Sequence, residues 1–123
     1  MTNEEINRIR SLKTQNFVIF MLIIASSMSI YINNGQIDLI INQENSKYSE
    51  ELLSKIAKIS SIIFWLSAIY FTILNYNTYQ KEKTKTNASF LLAAFLALQA
   101  SSIRVFVLFN IDNSTNLSSE DIV

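Results

Sequence analysis

The chain has 123 residues, half of them apolar, and its ten Lys and Arg balance its ten Asp and Glu. It contains no Cys, no His and a single Gly, which excludes disulfides, thiolate nucleophiles and Cys- or His-based metal centres, together with the Gly-rich loops that cradle phosphates. With zero net charge and no basic stripe interleaved with aromatics, the sequence gives no reason to expect a nucleic-acid partner, and it calls for no cofactor.

The apolar residues are bunched. No charged residue occurs from Thr14 to Ile37, from Ile59 to Gln80 or from Thr86 to Ile103. A helix of a soluble bundle carries an apolar stripe opposite a charged one; these segments are apolar all round. They predict an all-α integral membrane protein with three transmembrane helices in an up-down-up bundle. The expected layout is a three-span membrane domain over 1–109, with helices near 2–34, 49–81 and 87–109, followed by a flexible acidic tail over 110–123. Abundant Ile, Asn, Lys and Ser matches the composition of a low-GC bacterial coding sequence.

Thr2 and Glu5 have the spacing of a capping box and predict that the first helix starts before its apolar run. Ile6, Ile9 and Leu12 then suit the membrane surface, with Arg8, Arg10 and Lys13 at headgroup level. The run itself, Phe17 to Ile32, is short for a span, and Asn34–Gly35 reads as the stop because Gly readily closes a helix. Phe17 to Ile24 followed by Ala25, Ser26 and Ser27 also has the outline of a signal peptide, but Glu4, Glu5 and the apolar continuation to Ile32 argue for a retained span. From Gln36 to Lys55 runs the longest connection, whose apolar patch at Ile37, Leu39, Ile40 and Ile41 is expected on the membrane surface or capping the bundle.

Ser49 before Glu50 and Glu51 reads as the N-cap of the second helix, with acids where the helix dipole is positive. Its apolar run, Ile56 to Tyr76, ends at Tyr76 and Tyr79, which suit the interface, whereas Trp65 lies near mid-span. A short charged connection with Lys81, Glu82, Lys83 and Lys85 leads to a third helix that Thr86 or Asn87 is placed to cap. Counting Lys and Arg in the flanks puts Arg8, Arg10, Lys13, Lys81, Lys83 and Lys85 on one side, against Lys47 and Lys55 on the other. The N-terminus is therefore expected in the cytoplasm and the C-terminus outside the cell membrane.

The third run, Ala88 to Phe109, rises roughly 33 Å at about 1.5 Å per residue and carries Arg104, a charge deep inside an apolar run. At about 100° per residue, Phe90, Ala93, Ala97, Ala100, Ser101 and Arg104 share one sector, read as the packing face, with Leu91, Phe95, Leu98, Ser102 and Phe106 toward lipid. Matching stripes are Ala57, Ser60, Phe64, Ser67, Ala68 and Phe71 on the second helix and Leu22, Ser26, Ser29 and Asn33 on the first. Ser26, Ser29, Ser60 and Ser61 come to about the depth of Arg104, so an interior polar cluster is expected there, with Glu50 or Asp38 as a descending carboxylate. The alternative is that Arg104 bends its long stem to the outer phosphates. Gln99 points away from Arg104, toward another helix or subunit.

No nucleophile has a base beside it and no acid lies inside a span, so no catalytic residue is assigned and an enzyme is not expected. Two classes remain. One is a non-enzymatic interaction or accessory module, packing in the lipid bilayer against itself or another membrane protein through small-residue faces. The other is a homo-oligomeric pore. In size and span count the chain resembles the phage holins, which implies pore formation, although its acidic outer tail departs from the basic cytoplasmic tail of many holins.

Overall fold

The computed structural model describes residues 1–110, and within them the chain is entirely helical: α1 (Asn3–Asn42), a 3₁₀ turn (Gln43–Asn45), α2 (Glu50–Lys81) and α3 (Lys85–Asn110). All three α-helices are long and apolar enough to cross a membrane. The acidic tail expected over 110–123 lies outside the described residues, apart from Asn110, which ends α3.

The caps are local and match the sequence. Glu5 N–H donates to Thr2 Oγ1 (3.1 Å) while Thr2 N–H donates to Glu5 Oε1 (3.2 Å), closing the capping box of α1. Leu52 N–H donates to Ser49 Oγ (3.1 Å) at the start of α2. At α3 the cap is Thr84, not Thr86 or Asn87: Thr84 Oγ1 accepts from Asn87 N–H (3.1 Å), and Asn87 Nδ2 donates to Glu82 O (2.8 Å), tightening the turn. The α2–α3 connection is therefore only Glu82–Thr84.

The first helix does not stop at Gly35. It passes through and ends at Gln43, whose φ of 46° turns the chain and whose N–H donates to Leu39 O. Gly35 is buried where α1 crosses the start of α2, and a Cβ there would stand 2.8 Å and 2.9 Å from the two Cδ atoms of Leu53 and 2.9 Å from Tyr48 Cδ1. Gly is thus a point of close approach and not a terminator. The apolar patch becomes the last turns of α1, with Ile37, Ile40 and Ile41 exposed. Beyond it, Asp38 accepts hydrogen bonds from Ser46 Oγ and Asn42 Nδ2 and ties the 3₁₀ turn to the helix.

Helix α2 is central: it packs against α1 on one side and α3 on the other, while α1 and α3 barely meet. Paired residues run in opposite directions along neighbouring helices, Ser60 with Ala25 and Leu53 with Gly35, then Thr72 with Ala94, Trp65 with Ser102 and Lys58 with Phe109, so each helix is antiparallel to the next. Buried apolar side chains are few: Ala25, Ile32, Leu53, Ala57 and Leu108. Many other large apolar side chains face outward all along the helices, as with Phe17, Ile30, Ile59, Leu66, Leu92 and Ile103.

The expected stripe on α2 is present, with Ala57, Ser60 and Ser67 buried and Phe64, Ala68 and Phe71 half-buried. On α1 the phase differs. Ser26 and Asn33 are exposed, and Ala25, Ile32 and Gly35 are the buried positions. On α3 the phase also differs: Phe90, Ala93, Ala97 and Ala100 are exposed, whereas Leu91, Ala94, Leu98, Ser101, Val105 and Leu108 form the covered face. These last six recur at steps of three and four, the spacing of one continuous seam along a helix. Small side chains allow close approach without specifying it; Leu91 and Leu98 fill the seam better than a row of alanines does.

Candidate functional site

The residues read from sequence as an interior polar cluster are Arg104, Ser26, Ser29, Ser60, Ser61 and Glu50, and the bundle brings some of them together. Ser60 is fully buried, and its Oγ donates to Ala25 O on α1 (3.2 Å). Ser29 Oγ donates to the same carbonyl (3.3 Å), so the two hydroxyls converge on one acceptor across the α1–α2 contact. Ser61 is also buried but turns to Lys58 O on its own helix (2.8 Å). Ser26 is exposed and bonds Leu22 O (2.9 Å), and Glu50 is exposed in the first turn of α2. Neither Ser26 nor Glu50 belongs to an interior group.

Arg104 is half-buried, and its Nε is closed off from the surroundings. Between the cross-helix pairs Trp65–Ser102 and Lys58–Phe109 it stands level with Ile63 of α2, nearer to Trp65 than Ser60 and Ser61 are. The Lys58 ammonium lies 5.6 Å from the centre of the Phe109 ring, a cation–π contact near the end of α3. This end of the α2–α3 pair thus carries two half-buried cations, Lys58 and Arg104.

Two further polar contacts bind α2 to α3, and the sequence reading missed both. Trp65 Nε1 donates to Ser102 Oγ (2.9 Å), which gives a mid-span indole a partner in the adjacent helix. Thr72 Oγ1 lies 2.7 Å from Ala68 O and 3.2 Å from Ala94 O, sharing its proton between its own helix and the next. For Trp65 and Ser102 the signal was a polar side chain at each of two facing positions, and for Thr72 a hydroxyl within an apolar run, but pairing them needed the register.

Where α1 and α3 diverge over α2, a cleft of about 210 Å³ is lined by Leu22, Phe64, Ser67, Ala68, Ala97 and Ser101. On the other side of α3, an open hollow of about 590 Å³ runs along Tyr76, Tyr79, Ala88, Leu92 and Phe95, and a second of about 550 Å³ continues from Phe95 past Gln99 and Ser102 to Ile103. Among the described residues no three His, Cys, Asp or Glu side chains converge as metal ligands. The hydroxyls of Ser26, Ser29, Ser60, Ser61 and Ser67 all donate to main-chain carbonyls. No known protein family matches the chain, and neither does any characterised protein or solved structure.

Proposed function

We propose that the protein is a three-span integral membrane protein of the cell membrane that acts without catalysis, as an interaction or accessory module packing in the bilayer against a second copy or another membrane protein. Its N-terminus and the α2–α3 connection face the cytoplasm, and the α1–α2 connection and C-terminus face outward. The uneven distribution of Lys and Arg between the flanks supports that orientation.

The observation that carries this reading is the inversion of the bundle. Ser60, Ser61 and Ser67 are buried at its centre, while Phe17, Phe20, Ile30, Leu66, Leu96 and Phe106 are outside. In water, so much uncovered apolar surface would be opposed at about 25 cal/mol per Å². In hydrocarbon it carries no such penalty, and close packing with interhelical hydrogen bonds is what holds helices together. The contacts of Ser60, Thr72 and Trp65 with the next helix are of that kind.

Three measurements on the full chain test the proposal. The protein should resist alkaline extraction from membranes, a reporter fused after Val123 should be active outside, and induction should leave the membrane potential intact. Extraction by carbonate would remove the membrane assignment, cytoplasmic reporter activity would reverse the orientation, and rapid loss of potential would favour the homo-oligomeric pore.

A further inference from the structure

The covered seam of α3 has a twin displaced by one residue. Ala88, Leu92, Phe95, Gln99, Ser102 and Phe106 each follow a position of the α2-facing face or its extension, and they recur at steps of four and three. One residue is about 100° around the helix, so this second seam looks sideways, out of the bundle. Leu92, Phe95 and Phe106 are 59%, 46% and 67% exposed, and the two hollows that meet at Phe95 run along the seam from Ala88 to Ile103. At about 1.5 Å per residue that groove is roughly 22 Å long, most of a hydrocarbon core of about 30 Å. It is the length of a helix contact and longer than the half-bilayer reach of a lipid chain.

Gln99 sits near the middle of this seam. It is exposed and makes no hydrogen bond among the described residues. It lies roughly 21 Å along the axis from Lys85 and roughly 16 Å from Asn110, beyond the reach of its side chain to either end. Lipid tails offer a primary amide neither donor nor acceptor. The group therefore requires a polar partner at the same depth.

Resting on the membrane reading above, we infer that this seam is the interface of a parallel homodimer in which Gln99 pairs with Gln99 of a second copy. Two copies inserted in one orientation bring their α3 helices together in parallel, and a two-fold axis along the membrane normal sets each seam residue opposite itself. A primary amide is self-complementary: its NH₂ donates to the other's oxygen and its own oxygen accepts in return. The flanking Phe95, Ser102 and Phe106 supply knobs and holes, and a single polar residue in an otherwise apolar seam fixes register and the number of chains. A second copy necessarily presents this amide at this depth. On the inner edge of the seam Ser102 already accepts from Trp65 of α2, whereas the covered face of α3, Leu91 to Leu108, lies outside it.

Because the chain has no Cys, single-cysteine variants of the full protein, oxidised in native membranes, report the interface directly. Phe95→Cys and Phe106→Cys should give a disulfide-linked product of twice 14.1 kDa, and Leu96→Cys and Ala100→Cys, on the far flank, should not. Adding Gln99→Leu to either responsive variant should lower the yield about tenfold, the scale expected for losing interhelical hydrogen bonds in a bilayer. Equal cross-linking at all four positions, or a yield indifferent to Gln99→Leu, would overturn the inference. A product of any other mass would mean that a different protein occupies the seam. Carbonate-resistant protein that never cross-links would refute the dimer and leave the membrane reading standing, whereas protein released by carbonate would refute the membrane reading itself.

Discussion

Replacing Gly35 by Ala tests the packing of α1 on α2 by the sign of its effect. Gly35 is an interior residue of α1, and at an unconstrained helix position Ala is favoured over Gly by about 1 kcal/mol. Here the added methyl would meet both Cδ atoms of Leu53 and Cδ1 of Tyr48 at 2.8 to 2.9 Å. Leu53 is fully buried, so its methyl groups have nowhere to retreat without moving the helices apart. Overpacking of this kind costs about 1 to 3 kcal/mol, so the net change should run from about zero to about 2 kcal/mol of destabilisation. Reversible unfolding of the full chain in mixed micelles measures it. The variant Leu53→Ala supplies the second arm: made in the Gly35→Ala background it should cost less than in the wild type, because the cavity it opens receives the new methyl. A Gly35→Ala protein more stable than wild type by about 1 kcal/mol would mean that propensity alone governs the position, and the argument for a close helix approach at Gly35 would fail.

Arg104→Lys keeps the charge but removes the buried Nε and the planar fork, and should lower the melting temperature of the solubilised protein; a temperature equal to wild type would make Arg104 a simple headgroup anchor. Ser102→Ala removes the acceptor of the indole N–H, and because Trp65 is the single Trp, its emission should shift to shorter wavelength, with a stability loss of about 0.6 kcal/mol; unchanged emission would show that the contact does not form. Hydrogen bonds from Ser46 and then Asn42 hold the Asp38 carboxylate below its ordinary value of 3.8. A depressed acid stabilises the fold at pH above its unfolded value and loses that contribution as pH falls through the folded one. Amide exchange at Tyr48, whose N–H bonds Ser46 Oγ, should therefore be protected at neutral pH and lose that protection only below about pH 3.8; an Asp38→Asn variant with the same pH profile would dissociate the carboxylate from the turn.

Helix starts were legible because caps are written in neighbouring residues: Thr2 with Glu5, and Ser49 with the acids after it, need no tertiary partner to be recognised. Gly35 was not, since the same residue type serves a helix end and a close crossing, and only the arrival of Leu53 and Tyr48 from 13 to 18 residues later decides between them. Rotation of α3 about its axis was misread for a related reason. A soluble helix fixes its own phase by its polar face, but α3 is apolar nearly all round, so Ala93, Ala97 and Ala100 and the neighbouring Leu91 and Leu98 make equally plausible interiors from sequence. Helix α2 escaped this ambiguity because it packs on both sides, and its buried Ala57, Ser60 and Ser67 mark the positions where neighbours approach.

In such helices the polar residues carry the phase information that charge carries elsewhere. Ser60, Thr72 and Trp65 each lie where the next helix presents a carbonyl or a hydroxyl, and the contacts mark the faces that meet. The candidate polar cluster forms only in part because α1 is rotated from its expected phase: Ser29 and Ser60 meet at Ala25 O, whereas Ser26, only one residue from Ala25, lies on the open surface. Gln99 stands one residue from Leu98 in the same way, and the step carries it from the α2 contact to the outward seam. Burial makes Ser60 bond its neighbour, a polar group with no water to turn to; on the membrane assignment proposed above the same physics applies to the exposed Gln99, which makes no hydrogen bond among the described residues.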